Sequence, residues 1–192
     1  MTNEIRVHAG MQVETRAEND APGLVGYAAV FDTEADIAGM FREVIRKGAF
    51  ADAITRDDIH ALDNHDYGRV IGRKKSGTLK IYEDDRGLRV EITPPDTTVA
   101  RDLMANIAAG NIDQMSFAFS MEGGRQAWDE TGDMPLRSIE KVGELFEVSV
   151  VPRGAFETTE VGLRSLAAFR TLMSATEFRA RQKARLFGCN NG

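Results

Sequence analysis

The stretch VIGRKKSGTLKIYEDDRGLRVEIT, residues 70–93, holds three short apolar runs separated by KKSG and EDDRG. Each run is only a few residues long and is bounded by Gly, Asp or Ser, a length that suits strands and falls short of an ordinary helix. The glycines supply positive φ and the aspartates supply local hydrogen bonds, which is what tight turns require. The stretch therefore predicts a meander of three strands at residues 70–74, 78–82 and 88–93.

The same rhythm continues in both directions. Apolar runs at residues 4–15, 24–31, 41–45 and 59–64 precede the meander, and runs at 113–121 and 144–151 follow it. Many short strands at such spacing predict a sandwich or barrel rather than a helix bundle. Helices are fewer. After Pro94 and Pro95, Asp96 or Thr97 offers an N-cap, Val99, Leu103 and Ile107 share one helical face, and Gly110 marks a stop. KGAFADAIT, residues 47–55, is a weaker helix with Phe50 and Ile54 on one side. Residues 165–187 contain no Pro or Gly and carry Leu166, Phe169, Leu172, Met173 and Phe178 at helical spacing, which predicts a long terminal helix. Residues 123–135, GGRQAWDETGDMP, read as a polar loop holding the only tryptophan.

Composition sets outer limits. At 192 residues and 21.1 kDa, with 42% hydrophobic and 28% charged residues, the chain matches an ordinary globular protein with one good-sized core. No run approaches the roughly 18 apolar residues of a membrane span. MTNEIRVHAG lacks the basic-then-apolar layout of a secretion signal, so an intracellular protein without membrane contact is expected. A single cysteine, Cys189, leaves no disulfide framework and no Cys-based zinc site. The net charge of −6 is unevenly divided: from Arg164 onward six basic residues face one acid, Glu177, so residues 1–163 carry −11. An acidic body argues against nucleic-acid binding, because that needs a Lys/Arg-rich face. The division suggests a body at 1–163 and a basic tail at 164–192.

No phosphate-binding glycine loop, dinucleotide fingerprint or H-E-x-x-H zinc motif occurs. His60 and His65 lie five apart, an odd spacing that sends strand side chains to opposite faces, so no shared metal is expected. Three stretches carry reactive groups. In DNHDYG, residues 63–68, His65 sits where a strand enters a polar turn; it is either a solvated turn residue or a general base. In NIDQMSFAFSM, residues 111–121, Met115, Phe117, Phe119 and Met121 alternate with Ser116, Ala118 and Ser120. The large residues face the core, and the small ones either admit a close neighbour or present Ser116 or Ser120 as a nucleophile. In GELFEVSVVPRG, residues 143–154, Leu145, Glu147, Ser149 and Val151 are expected on one face, with Phe146, Val148 and Val150 on the other. A carboxylate in so apolar a strand is costly to bury without a partner, and Glu147 is either open to water or set to orient His65. Asp66 suits that role less well, since it adjoins His65 and points away.

The ordered series GYAAVF, KGAF, NHD followed by VIG, GLRV, an amphipathic helix, MSFAF and EVSVVP resembles the prohead (procapsid maturation) proteases of tailed bacteriophages over about residues 22–163. The resemblance implies an α+β fold similar to the herpesvirus assembly protease, a mostly antiparallel β-barrel wrapped by a few helices, here with a C-terminal helical tail. It implies a serine endopeptidase with His65 as base, Ser116 as nucleophile and Glu147 as third member, without cofactor or metal. Its expected partners are the major capsid protein, with that protein's scaffold segment, and further copies of the chain itself. Its place would be the prohead inside the host cytoplasm. Two stretches depart from the family pattern: RGAFETTEV after EVSVVP, and the loop at 123–135. The competing expectation is an inert assembly factor of the same fold.

Overall fold

The computed structural model describes residues 3–6, 13–18, 21–152 and 171. Along the described residues run β1 (Glu4–Arg6), β2 (Val13–Glu18), β3 (Ala21–Val30), β4 (Ala35–Ile37), β5 (Phe41–Ile45), α1 (Ala51–Arg56), β6 (His60–Asp63), β7 (Asp66–Arg73), β8 (Leu79–Glu83), β9 (Gly87–Ile92), α2 (Thr98–Ala108), β10 (Gln114–Ser120), β11 (Arg125–Asp129), β12 (Leu136–Lys141) and β13 (Glu144–Val151). The chain divides into two compact units, Met1–Thr158 and Thr159–Gly192. Apart from Thr171, the expected helix at 165–187 and the basic tail lie outside the described residues.

The strands form three sheets, ordered β1-β10-β13-β6-β7, β11-β12-β5-β4 and β2-β3-β9-β8. Most neighbours are antiparallel, but β13 runs parallel to β6 and β12 parallel to β5. Strand dominates and two helices accompany it among the described residues, an α+β arrangement. None of the sheets closes on itself, which corrects the expected barrel. The reason is visible in the meander of residues 70–93. β8 and β9 form the expected hairpin, whereas β7 pairs with β6 in a different sheet. The two sheets touch where the chain crosses: a methyl group placed on Gly72 would lie 2.9 Å from Ile92 Cγ2 and 3.1 Å from the Thr78 carbonyl oxygen. Only a glycine permits that approach.

The helices follow their local signals. Thr97, not Asp96, caps α2: its Oγ1 accepts the Ala100 N–H at 3.2 Å, and Ala100, Leu103 and Ile107 are buried. Five of the thirteen residues of the loop expected at 123–135 are strand, β11. In β11 exposure alternates along the chain, and the partly buried Trp128 meets Phe41 edge-on at 5.0 Å. The main core is aromatic around β10, where the Phe117 ring contacts Phe50 at 5.4 Å and Phe119 at 5.2 Å.

Four charged residues are sealed between sheets. Arg6 on β1 donates to Glu43 at 2.6 Å and to Glu4 at 2.6 Å, and Arg137 on β12 donates to Glu4 at 2.5 Å and to Glu43 at 2.9 Å. The group is neutral, and it binds the edge strand β1 to β5 and β12 of another sheet. Burial alone would pull the Arg137 guanidinium down, but the hydrogen bonds and charges of Glu4 and Glu43 outweigh it and hold Arg137 above its ordinary value. At Gly87 the packing tolerates no added atom. A methyl on Gly87 would stand 2.0 Å from the Ala29 carbonyl oxygen, beside the register shift between Tyr27 and Ala29. Gly87→Ala is therefore expected to destabilise the domain by about 1–3 kcal/mol, the usual cost of overpacking. A urea unfolding midpoint equal to that of the parent protein would contradict this.

Candidate active site

Between β6 and β7 the chain reverses through two residues, Asn64 and His65, with Asp63 paired opposite Asp66. Both turn residues have positive φ, 55° for Asn64 and 61° for His65. That is the backbone of a primed hairpin turn, where Asn-Gly is the usual choice. Asn suits its position, but His in place of Gly costs roughly 1–2 kcal/mol of left-handed strain. Strain of this kind persists where surroundings fix it, and it collects at functional sites. Here the surroundings are explicit: the Asn64 N–H donates to the Val150 carbonyl at 3.0 Å, the His65 N–H donates to Ser149 Oγ at 3.1 Å, and Arg69 holds Asp63 at the base of the turn.

The turn delivers the His65 ring to Glu147. Nδ1 lies 2.7 Å from Glu147 Oε1; the carboxylate side chain is 2% exposed and the imidazole 22%. With Nδ1 engaged, Nε2 is the nitrogen left for another partner. The second carboxylate oxygen, Oε2, accepts the Ser149 hydroxyl. Glu147 is thus buried, as its apolar strand requires, and its cost is offset by two hydrogen bonds. His60 stands opposite Glu147 in the β6–β13 register, so both histidines lie on the side of this carboxylate. The expectation of opposite faces fails because strand parity does not carry through a left-handed turn. Among the described residues no group of three or more His, Cys, Asp or Glu side chains is arranged to hold a metal ion.

The face assignment on β13 needs one correction. Ala118 pairs with Glu147 and Phe119 with Leu145, so Phe146 is an extra residue, a β-bulge. Leu145 therefore joins Val148 and Val150 in the core instead of sharing a face with Glu147 and Ser149. Beside the bulge, a cavity of about 450 Å³ is lined by residues including His60, Tyr67, Glu144 and Phe146. The Tyr67 ring meets His60 edge-on at 5.8 Å. Partial burial, and after it the Glu147 charge, push the Tyr67 hydroxyl above the ordinary phenol range.

Ser116 stands directly opposite Ser149 in the β10–β13 register, one diagonal from Glu147 and on the same side of the sheet. It is fully buried, and its hydroxyl donates to the Arg6 carbonyl at 3.0 Å. The structure thus joins His65 to Glu147 and sets Ser116 on their face; among the described residues no hydrogen bond joins Ser116 to His65. Ser120, the other serine of this face, accepts the Glu122 N–H at 3.1 Å near the end of β10 and pairs with Glu144, away from the imidazole's partners. Ser149 is the residue that sequence reasoning gave no role. Its only signal was its position two residues after Glu147.

A histidine oriented by a buried carboxylate, on a sheet face that also carries a serine, is the constellation serine hydrolases use. The chain belongs to the caudovirus prohead serine protease family, whose sequence profile matches residues 11–172. The bacteriophage T4 capsid assembly protease, gp21, has a similar solved structure: TM-score 0.50 at 13% identity, covering 78% of this chain and 98% of that one. At that identity the likeness concerns the fold. No curated protein matches the chain in sequence.

Proposed function

We propose that this chain is a serine endopeptidase of prohead maturation with Ser116, His65 and Glu147 as its triad. The observation that carries the reading is the contact of Glu147 with His65 Nδ1, which orients the ring and leaves Nε2 for a hydroxyl on the face where Ser116 stands. In the first half-reaction Nε2 takes the Ser116 proton as Oγ bonds to the peptide carbonyl carbon. The imidazolium then returns that proton to the leaving amine as the C–N bond breaks. Water, deprotonated by the same nitrogen, splits the acyl ester and restores Ser116. Glu147 stabilises the imidazolium throughout. For this sequence Ser116 must turn from the Arg6 carbonyl toward His65.

By family, the substrates are the scaffold segments of the capsid protein and the protease itself, inside the immature head in the host cytoplasm. Self-association belongs to the same reading, since copies confined in one head can cleave one another. Membrane contact and nucleic-acid binding are not part of the reading. Among the described residues no helix is long and apolar enough to cross a membrane. The resting bond between Ser116 and Arg6 is what favours the second reading, an inert assembly factor of the same fold. Co-expression with the capsid protein of the same phage separates the two. The parent chain is expected to yield shortened capsid protein and Ser116→Ala only full-length product. Identical full-length bands from both, under conditions that assemble shells, would leave the inert reading.

A further inference from the structure

We propose that Ser149 is a positioning residue that holds the base and its carboxylate partner in one geometry. The proposal rests on the triad reading above and adds to it a fourth side chain. Ser149 lies two residues beyond Glu147 on β13, so both side chains project from the same face of the strand. It is fully buried. Its single oxygen does two things at once: it accepts the backbone N–H of His65 at 3.1 Å, and it donates its proton to Glu147 Oε2.

Each bond removes a specific freedom. The bond from His65 N–H ties the left-handed turn, φ 61° at His65, to the adjacent strand, so the backbone carrying the imidazole cannot relax toward an ordinary turn. The bond to Oε2 fixes the carboxylate's rotation, leaving Oε1 aimed at Nδ1. Without the hydroxyl, a buried Oε2 loses its donor and the part-buried His65 N–H loses its acceptor, and both groups must find new partners by moving. Ser149 does not itself behave as a nucleophile here, since its proton goes to a carboxylate and its lone pair to an amide. Its cross-strand partner is Ser116, so any slackening is felt next to the attacking oxygen.

The test uses the full-length chain and a fluorophosphonate probe that reacts with an activated serine, read by mass spectrometry at Ser116. For Ser149→Ala, the maximal labelling rate is expected to fall about 10–100-fold, as for other residues that orient a primary group. The probe concentration at half-maximal rate should stay unchanged. In the same variant the downfield proton resonance of His65 Nδ1 should shift or vanish into exchange. Ser149→Thr, which restores the hydroxyl, should recover most of the rate. Ser149→Cys, nearly isosteric but a weak donor, should behave like Ser149→Ala and serves in its place if that variant does not fold. A parent-like labelling rate in Ser149→Ala or Ser149→Cys would overturn the proposal, as would an unmoved Nδ1 resonance or equal damage from Ser149→Thr. Failure of the parent chain to label at Ser116 would instead sink the peptidase reading, and the Nδ1 resonance would still report whether Ser149 holds His65.

Discussion

Replacing His65 by alanine is expected to stop capsid-protein processing, a loss of at least about 10²–10⁴-fold from removal of the proposed general base alone. Triad members act as a unit, so His65→Ala combined with Ser116→Ala should be no worse than either change by itself. The turn makes a sharper experiment available. His65 occupies φ 61°, where alanine is strained and glycine is not. Both His65→Ala and His65→Gly leave Glu147 without its Nδ1 partner, so that cost cancels between them. His65→Gly should then be more stable than His65→Ala by about 1 kcal/mol while remaining equally inactive. Stability measured by urea unfolding and activity measured by capsid-protein cleavage would then diverge. Parent-like processing by His65→Gly would remove His65 from the mechanism.

Arg137→Ala should be the most destabilising single change away from the proposed triad. Arg137 is fully buried, and its guanidinium reaches Glu4 and Glu43 together with Gln126. Truncation removes one of the two guanidinium groups that serve the buried Glu4 and Glu43 carboxylates. Removing one partner from such a group typically costs about 3–5 kcal/mol, a large part of the roughly 5–15 kcal/mol that holds a domain together. The loss should shrink when Glu43 is neutralised as well, in Arg137→Met with Glu43→Leu, because Glu4 and Arg6 then remain as a balanced pair. Urea midpoints for parent, single and double variants test this, and a single variant with the parent midpoint would refute it. The change also reaches the proposed nucleophile. β1 is held by these charges, and the Arg6 carbonyl on β1 is what the Ser116 hydroxyl rests against.

Local signals in the sequence were sufficient for the elements that depend only on neighbours. The β8–β9 hairpin, the alternation of β10 and the capped helix α2 follow from turn residues, period and an N-cap, all within a few positions. What was not legible depended on distant partners. β7 pairs with β6 because the Asn64–His65 turn is tighter than the KKSG connection that leads to β8, a competition that no single stretch displays. β11 was hidden in a polar loop because three of its five residues face water and, of the other two, only Trp128 is apolar. The charged quartet was invisible for a related reason: Glu and Arg on short strands read as solvent-facing until the pairings that link Arg6 to Glu43 and Arg137 to Glu4, each across more than thirty residues, are known. At the candidate site the residue types were legible and their contacts were not. His65 and Glu147 are 82 residues apart, and the Ser149 bonds that join them depend on a left-handed turn that the sequence disguises with a histidine.

Phe146 has a consequence of another kind. Counted through the strand, β13 would keep Leu145, Val148 and Val150 on the core side and Glu147 and Ser149 on the other even with Phe146 removed, since the bulge contributes one surplus residue. The core therefore gives no reason for it to exist. A bulge sharpens the local twist and swings the side chains beyond it away from those before it. In β13 the first side chain beyond it is Glu147. The surplus residue thus works as a spacer set into the sheet, placed so that it bends the strand where the carboxylate begins and sets that carboxylate's aim while the core alternation on either side of it is kept.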